Sequence, residues 1–252
     1  MPRVFMLHAI TRDRHDFADL AGRLEGAEAL PLDHIGHGDA PRGPLYRVPD
    51  YATAIAPSMA QGDVIFGHSL GGLVALYLAG KRPGFLRAVV LEDPPLFDSR
   101  MPRMADSPYL KGFAALKALM GRHPDYGEAD WARRVAEWPS GHGDLTIKQA
   151  MGDDGVARRA MQIAKFDRKA LDAPMDGTLN DGFDVFNAIR SCQCPVHILA
   201  GVEAQGSALS PADLTLLALE RNVTVTSIAS EGHYIHEMCP DVCLAALRPA
   251  LS

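Results

Sequence analysis

The run Gly67-His68-Ser69-Leu70-Gly71-Gly72 follows the apolar Val64-Ile65-Phe66 and precedes the helix-forming Leu73–Gly80. A G-x-S-x-G at a strand-to-helix turn holds its serine in a strained backbone conformation that exposes Oγ at the carboxyl edge of a sheet. The flanking glycines are required because side chains there would clash in so tight a turn. The serine also sits at a helix N-terminus, where backbone N–H groups favour developing negative charge. Ser69 is therefore read as a nucleophile, against the plainer alternative of a glycine-rich turn.

A serine nucleophile needs a base, and ten histidines compete for that role. His233, in Ser230-Glu231-Gly232-His233, stands just past the last predicted strand and would emerge at the same edge as Ser69. His236 is the nearest rival, placed on the turn or helix beyond. His34 and His37, in Asp33-His34-Ile35-Gly36-His37-Gly38-Asp39, lack third and fourth metal ligands at a useful spacing, so loop packing is the reading preferred over metal binding.

These groups must be held by elements, and the chain alternates short β-branched or apolar runs with helical patterns. The expected strands are residues 4–7, 28–32, 64–66, 88–92, 196–200 and 223–228, with helical stretches near 16–24, 50–60, 70–80, 211–220 and 240–247. That alternation predicts an α/β fold, an open and mostly parallel sheet with helices on both faces. From about Pro94 to Arg190 no convincing strand occurs, only helix-like pieces at 110–120, 129–138, 156–166 and 183–189. A structureless loop of that length is improbable, so residues 94–190 are expected to form a helical cap inserted into a core of residues 1–93 and 191–252.

The pattern resembles the α/β-hydrolase superfamily over nearly the whole chain. Leu7-His8-Ala9-Ile10 is similar to the His-Gly oxyanion loop, with alanine where glycine is usual. Asp33 to Asp39 resembles the D-x-x-G-x-G loop, Gly67–Gly72 the nucleophile elbow, and Gly232-His233 the terminal histidine motif. The resemblance implies an oxyanion hole from the backbone N–H groups of Leu70 and Ile10, with Ala9 as the alternative donor. It also implies a carboxylate after the strand that follows the cap, yet that strand ends Gly201-Val202-Glu203-Ala204, with Ala204 at the expected position. Without a carboxylate on Nδ1 the imidazole takes the wrong tautomer. The strand before the cap, Val89-Val90-Leu91-Glu92-Asp93-Pro94, offers Glu92 as the orienting acid, as in a minority of the family. Asp93 is read first as a structural loop carboxylate, and both Glu203 and Asp93 stay rivals for the orienting role.

In the cap, Tyr109, Phe113, Trp131 and Trp138 are candidates to line an apolar pocket, although large apolar residues at helical spacing are more often core. Trp131 and Trp138 are taken as substrate-binding residues. Arg12, Asp13 and His15 follow the oxyanion loop and either face the substrate or form a solvated, helix-capping stretch.

Composition bounds what remains. The 252 residues are 47% apolar and 22% charged with a net charge of −6, which fits one globular core and gives no footprint for a polyanion. The first residues lack the longer apolar stretch and small-residue cleavage site expected of a secretory signal, and no run of about 18 apolar residues occurs, so a cytoplasmic location is expected. Cys192, Cys194, Cys239 and Cys243 read as buried free thiols. No cofactor, metal, nucleic acid or membrane is expected; a small-molecule substrate is, and a homodimer is left open. The resulting expectation is a serine hydrolase of a small, largely apolar carboxylic ester or lactone, using Ser69, His233 and Glu92. Carbon–carbon bond hydrolysis or cofactor-free oxygenation on the same fold is one alternative, and a hydrolase-like ligand-binding protein is another.

Overall fold

A computed structural model describes residues 1–251. Six strands form one sheet: β1 (Arg3–Leu7), β2 (Glu28–Leu32), β3 (Val64–His68), β4 (Ala88–Glu92), β5 (Val196–Ala200) and β6 (Val223–Ser227), in the order β2-β1-β3-β4-β5-β6. Every pairing is parallel. The helices are α1 (Ala18–Arg23), α2 (Val48–Ile55), α3 (Leu70–Lys81), α4 (Arg103–Asp106), α5 (Pro108–Arg122), α6 (Glu128–Val135), α7 (Ile147–Lys165), α8 (Asp172–Asp176), α9 (Val185–Ser191), α10 (Pro211–Leu217), α11 (Ile235–Met238) and α12 (Pro240–Leu251). None is long and apolar enough to cross a membrane among the described residues.

Both faces of a parallel sheet are covered, so its strands read as continuous apolar runs whose alternate residues serve different cores. Val4, Met6, Val64, Phe66, Ala88 and Val90 pack on one face with Phe17, Leu20, Cys243 and Leu247, which belong to the segments around α1 and α12. Phe5, Leu7, Ile65, Val89 and Leu91 serve the other face, beneath α2, α3 and α9. This parity decides below where two adjacent carboxylates point.

The interval between β4 and β5 carries α4 to α9 and, among the described residues, no strand beyond an isolated bridge from Pro139 to Thr146. Helices α5 to α7 bury a small core of their own, with Trp131, Val135, Ile147, Ala160 and Ile163 at its centre. The α3 helix is apolar on every side because it lies between the sheet, α2 and α9.

Close approach of α3 and α9 needs a residue without a side chain, because a Cβ at Gly80 would sit 2.6 Å from Ala188 Cα. In an open helix Gly→Ala stabilises by about 0.5–1 kcal/mol. Here overpacking reverses the sign, so Gly80→Ala should destabilise by about 1–3 kcal/mol, read as a fall in the denaturant midpoint at unchanged slope. A raised midpoint would show that the two helices can separate freely.

Candidate active site

Ser69 closes the turn between β3 and α3 at φ 53° and ψ −113°, outside the ordinary regions for a residue with a side chain. The conformation is fixed from both sides. The Ser69 N–H donates to the Glu92 carbonyl at 2.9 Å, and the Ser69 carbonyl accepts from Gly72 N–H at 2.9 Å and Leu73 N–H at 3.2 Å. A Cβ at Gly71 would lie 2.0 Å from the Leu7 carbonyl oxygen, so glycine there lets the first turn of α3 rest on β1.

His233 lies in the loop after β6, and its Nδ1 is 2.6 Å from Asp93 Oδ2. The same carboxylate accepts from Ala208 N–H at 2.8 Å and from the Ser207 hydroxyl at 2.6 Å. Asp93 is fully buried and takes φ 41° just past the end of β4. With acceptors on that side, Nδ1 carries the proton and Nε2 is left as the basic nitrogen.

The assignment of Glu92 to His233 is therefore corrected. Glu92 is the last residue of β4, aligned with His68 on β3 and Leu199 on β5, and it follows the parity of Ala88 and Val90 toward the α1 and α12 face. There it accepts from the backbone N–H and from Nδ1 of His236, each at 2.8 Å. Asp93, of opposite parity and with a left-handed backbone, turns to the cavity side. Glu203 is exposed on a short turn and Ala204 beside it is exposed too. The segment they open nevertheless supplies Ser207 and Ala208 to Asp93.

Ser69 and His233 line one cavity of about 90 Å³. Ala9, Ile10 and Leu70 border it beside the serine, while Met104, Tyr109 and Phe113 reach it from the interval between β4 and β5. The Tyr109 ring centroid lies 5.5 Å from that of His233, and its hydroxyl donates to the Gly206 carbonyl at 2.6 Å. Asp98 is also in the lining, its carboxyl pushed up by burial although Arg103 pulls the other way. Tyr234 lines the cavity as well, and neither it nor Asp98 was legible as a lining residue from the sequence.

Trp131 and Trp138 are not in this lining, which corrects their reading as substrate-binding residues. Trp131 is buried among α5, α6 and α7, with its ring 5.4 Å from Tyr126 and 6.4 Å from Trp138. Trp138 borders an outer groove with Tyr126, Arg133 and Arg134. Helical spacing marks which face is apolar, and says nothing of whether that face meets a neighbouring helix or a cavity. Arg12 is neither solvated nor in the lining: its guanidinium stands 4.6 Å over the Tyr234 ring and pairs with Glu237 at 3.4 Å and Asp16 at 3.6 Å. Asp13 caps a short helical turn through His15 N–H, and the His15 side chain is half exposed.

The oxyanion-type loop is held by imidazoles. His8 Nε2 accepts from His34 N–H at 3.0 Å, which leaves Nδ1–H to donate to the Ala9 carbonyl at 2.8 Å. His37 Nε2 accepts from Thr11 N–H at 3.1 Å, and its Nδ1–H donates to the Ile35 carbonyl at 3.0 Å. Both rings are thus fixed as neutral tautomers, and the loop-packing reading of His34 and His37 describes their contacts. Ligand-type atoms come within 4.8 Å of one another elsewhere, at His68, Glu92 and His236 and at Asp16, His236 and Glu237. In the first group Glu92 already accepts from His236 Nδ1, so a cation there would displace that hydrogen bond.

A family model described as the alpha/beta hydrolase family matches residues 4–246. The chain belongs to that family. A pimeloyl-[acyl-carrier protein] methyl ester esterase of Neisseria meningitidis is 33% identical over 161 residues, which span 63% of this chain and 48% of that protein. The chain thus matches about half the length of that esterase. A 2-(acetamidomethylene)succinate hydrolase of Mesorhizobium japonicum is 29% identical over 262 residues, spanning 98% of this chain and 86% of that protein. A crystal structure of E-2-(acetamidomethylene)succinate hydrolase superposes with a TM-score of 0.71 at 23% identity, covering 99% of this chain and 91% of that one, a likeness of fold.

Family membership does not set the acid response of the site; its histidines do. Burial pulls His8, His34, His37 and His68 below the ordinary value of 6.5, three of them well below. Burial also opposes the charging of His236, but Glu92 outweighs it and the His236 pKa is raised. Where the unfolded chain binds more protons than the native one, stability rises with pH. The four lowered histidines therefore stabilise fully above about pH 6.5, and their contribution falls as pH drops below it; the contribution of His236 runs the other way. The urea midpoint should be clearly lower at pH 5 than at pH 7.5, and a His37→Gln variant should show a shallower dependence. An equal midpoint at both pH values would contradict the neutral assignments.

Proposed function

We propose that the protein is a serine hydrolase of a small, uncharged carboxylic ester or lactone, working through an acyl-enzyme on Ser69. The observation that carries this reading is the 2.6 Å contact of buried Asp93 with His233 Nδ1, where His233 itself lines one cavity together with Ser69. His233 Nε2 removes the Ser69 proton as Oγ attacks the substrate carbonyl, and Asp93 stabilises the imidazolium that forms. The oxygen of the tetrahedral intermediate is taken by the N–H groups of Leu70 and Ile10, whose residues border the cavity beside the serine. His233 then protonates the leaving alcohol, and water attacks the acyl-enzyme with His233 again as base.

Substrate class follows from the lining. Leu70, Leu73, Met104, Phe113 and Leu179 form an apolar wall, and a volume of about 90 Å³ favours a short acyl group. The charged side chain in the lining is the Asp98 carboxyl, with no lysine or arginine among the described residues that line the cavity. An anionic acyl chain would meet that carboxyl, while the Arg103 guanidinium that pairs with it at 3.4 Å lies outside the lining and is shared with Asp213. Neutral short-chain esters and lactones are therefore favoured over half-esters of dicarboxylic acids.

A fluorophosphonate probe should form its adduct on Ser69, and Ser69→Ala should lower kcat on a short-chain ester by at least ~10³. Asp93→Asn should cost about 10²–10⁴ in kcat. Glu92→Gln should lower thermal stability while costing less than about tenfold in kcat, because Glu92 acts on His236 and not on His233. A large kcat loss in Glu92→Gln with near-full activity in Asp93→Asn would overturn the assignment of the acid. Absence of both labelling and ester turnover in the folded wild-type protein would overturn the hydrolase reading.

A further inference from the structure

Away from the cavity, Cys192-Gln193-Cys194-Pro195 joins the end of α9 to β5. The Cys192 and Cys194 sulfurs are 3.3 Å apart, in hydrogen-bond contact. Both residues are 6% exposed at the rim of the core, and Gln193 between them is exposed. The backbone around them is held: Cys192 N–H caps α9 through the Ala188 and Ile189 carbonyls, and Asn222 Nδ2 donates to the carbonyls of Ile189 and Cys192. Cys239 and Cys243 lie elsewhere, Cys243 fully buried against the opposite face of the sheet.

We propose that Cys192 and Cys194 form a reversible dithiol–disulfide site that reacts with low-molecular-weight disulfides. The sulfurs need to approach by roughly 1.3 Å to reach bonding distance, a motion that side-chain torsions supply. Since the Cys192 backbone is already held at its N–H and its carbonyl, closure involves little further loss of chain freedom there. The contact between the two sulfurs pulls the Cys192 thiol down, against burial, and pushes Cys194 up, which favours Cys192 as the attacking sulfur and Cys194 as the resolving one.

The exchange balances as two steps. The Cys192 thiolate attacks one sulfur of the small disulfide, forming a mixed disulfide and expelling one thiolate, which takes up the proton that Cys192 lost. Cys194 then loses its proton and attacks the Cys192 sulfur, expelling the second thiolate, which is protonated in turn. The protein dithiol is oxidised and the small disulfide is reduced to two thiols. Bridging residues only two apart closes a small ring. The site should therefore titrate within ordinary glutathione mixtures.

The test equilibrates the whole folded protein, without oxygen, in graded ratios of oxidised to reduced glutathione, followed by acid quenching, alkylation under denaturing conditions and peptide mass mapping. The peptide holding Cys192 and Cys194 should resist alkylation and weigh less by two hydrogens at oxidising ratios. Dithiothreitol should restore it, while Cys239 and Cys243 stay alkylatable. Cys194→Ser should leave Cys192 trapped as its glutathione adduct, and Cys192→Ser should suppress the reaction. Full alkylation of wild-type Cys192 and Cys194 at every ratio would overturn the proposal, as would a bridge to Cys239 or Cys243. The wild-type mapping decides even where a serine variant fails to fold.

Discussion

Two adjacent carboxylates at the end of β4 organise the edge on which everything else converges. Glu92 and Asp93 are both fully buried, and a buried carboxylate is tolerated only when donors satisfy it. Glu92 is satisfied by two N–H groups of His236, and Asp93 by His233, Ser207 and Ala208. All of these donors come from segments that follow β5 and β6, more than a hundred residues along the chain. Removing either carboxylate would leave donors buried without partners, a larger penalty than the net worth of the bonds themselves. The pair therefore ties the C-terminal loops to the centre of the sheet, and it does so from both faces at once.

The nucleophile turn depends on the same strand end. Ser69 reaches its strained backbone partly through its N–H bond to the Glu92 carbonyl, so one residue anchors the serine through its backbone and the His236 segment through its side chain. His68, just before the serine, donates from Nε2 to the His233 carbonyl at 2.9 Å. Serine and histidine are thus fixed relative to each other by bonds that do not involve their reactive atoms. Such over-determination is what allows a non-glycine residue to persist at positive φ.

The features that the sequence made legible are local ones. Short β-branched or apolar runs located all six strands to within a residue or two, and the elbow context singled out Ser69. The order of elements placed His233 at the same edge. What failed depended on information that spacing does not hold. Glu92 and Asp93 differ by one position, and choosing between them needs the parity of β4 relative to the two cores together with the left-handed turn at Asp93. Trp131 lies on an apolar helix face as expected, but that face packs within α5 to α7, while Tyr109 and Phe113 on α5 reach the cavity. The absence of a carboxylate at Ala204 was read correctly, whereas nothing local indicated that Ser207 and Ala208 would hold Asp93 instead.

The histidines show how one residue type is divided between two uses. His8, His34, His37 and His68 are buried without a carboxylate on the ring, and each is kept below its ordinary pKa, burial being the main cause. Neutral rings carry one donor and one acceptor, which suits His8 and His37 to bridging loop backbones. His233 and His236 each have a carboxylate at Nδ1, so positive charge can develop there. His236 is enclosed, with its Nε2 unpartnered against the ring of Phe17, and does not border the cavity. A general base needs both a stabilised cation and access to the reacting group. Of the buried histidines at this edge, His233 meets both conditions, and the need for both explains why a second carboxylate–histidine pair can lie beside it without competing for the proton.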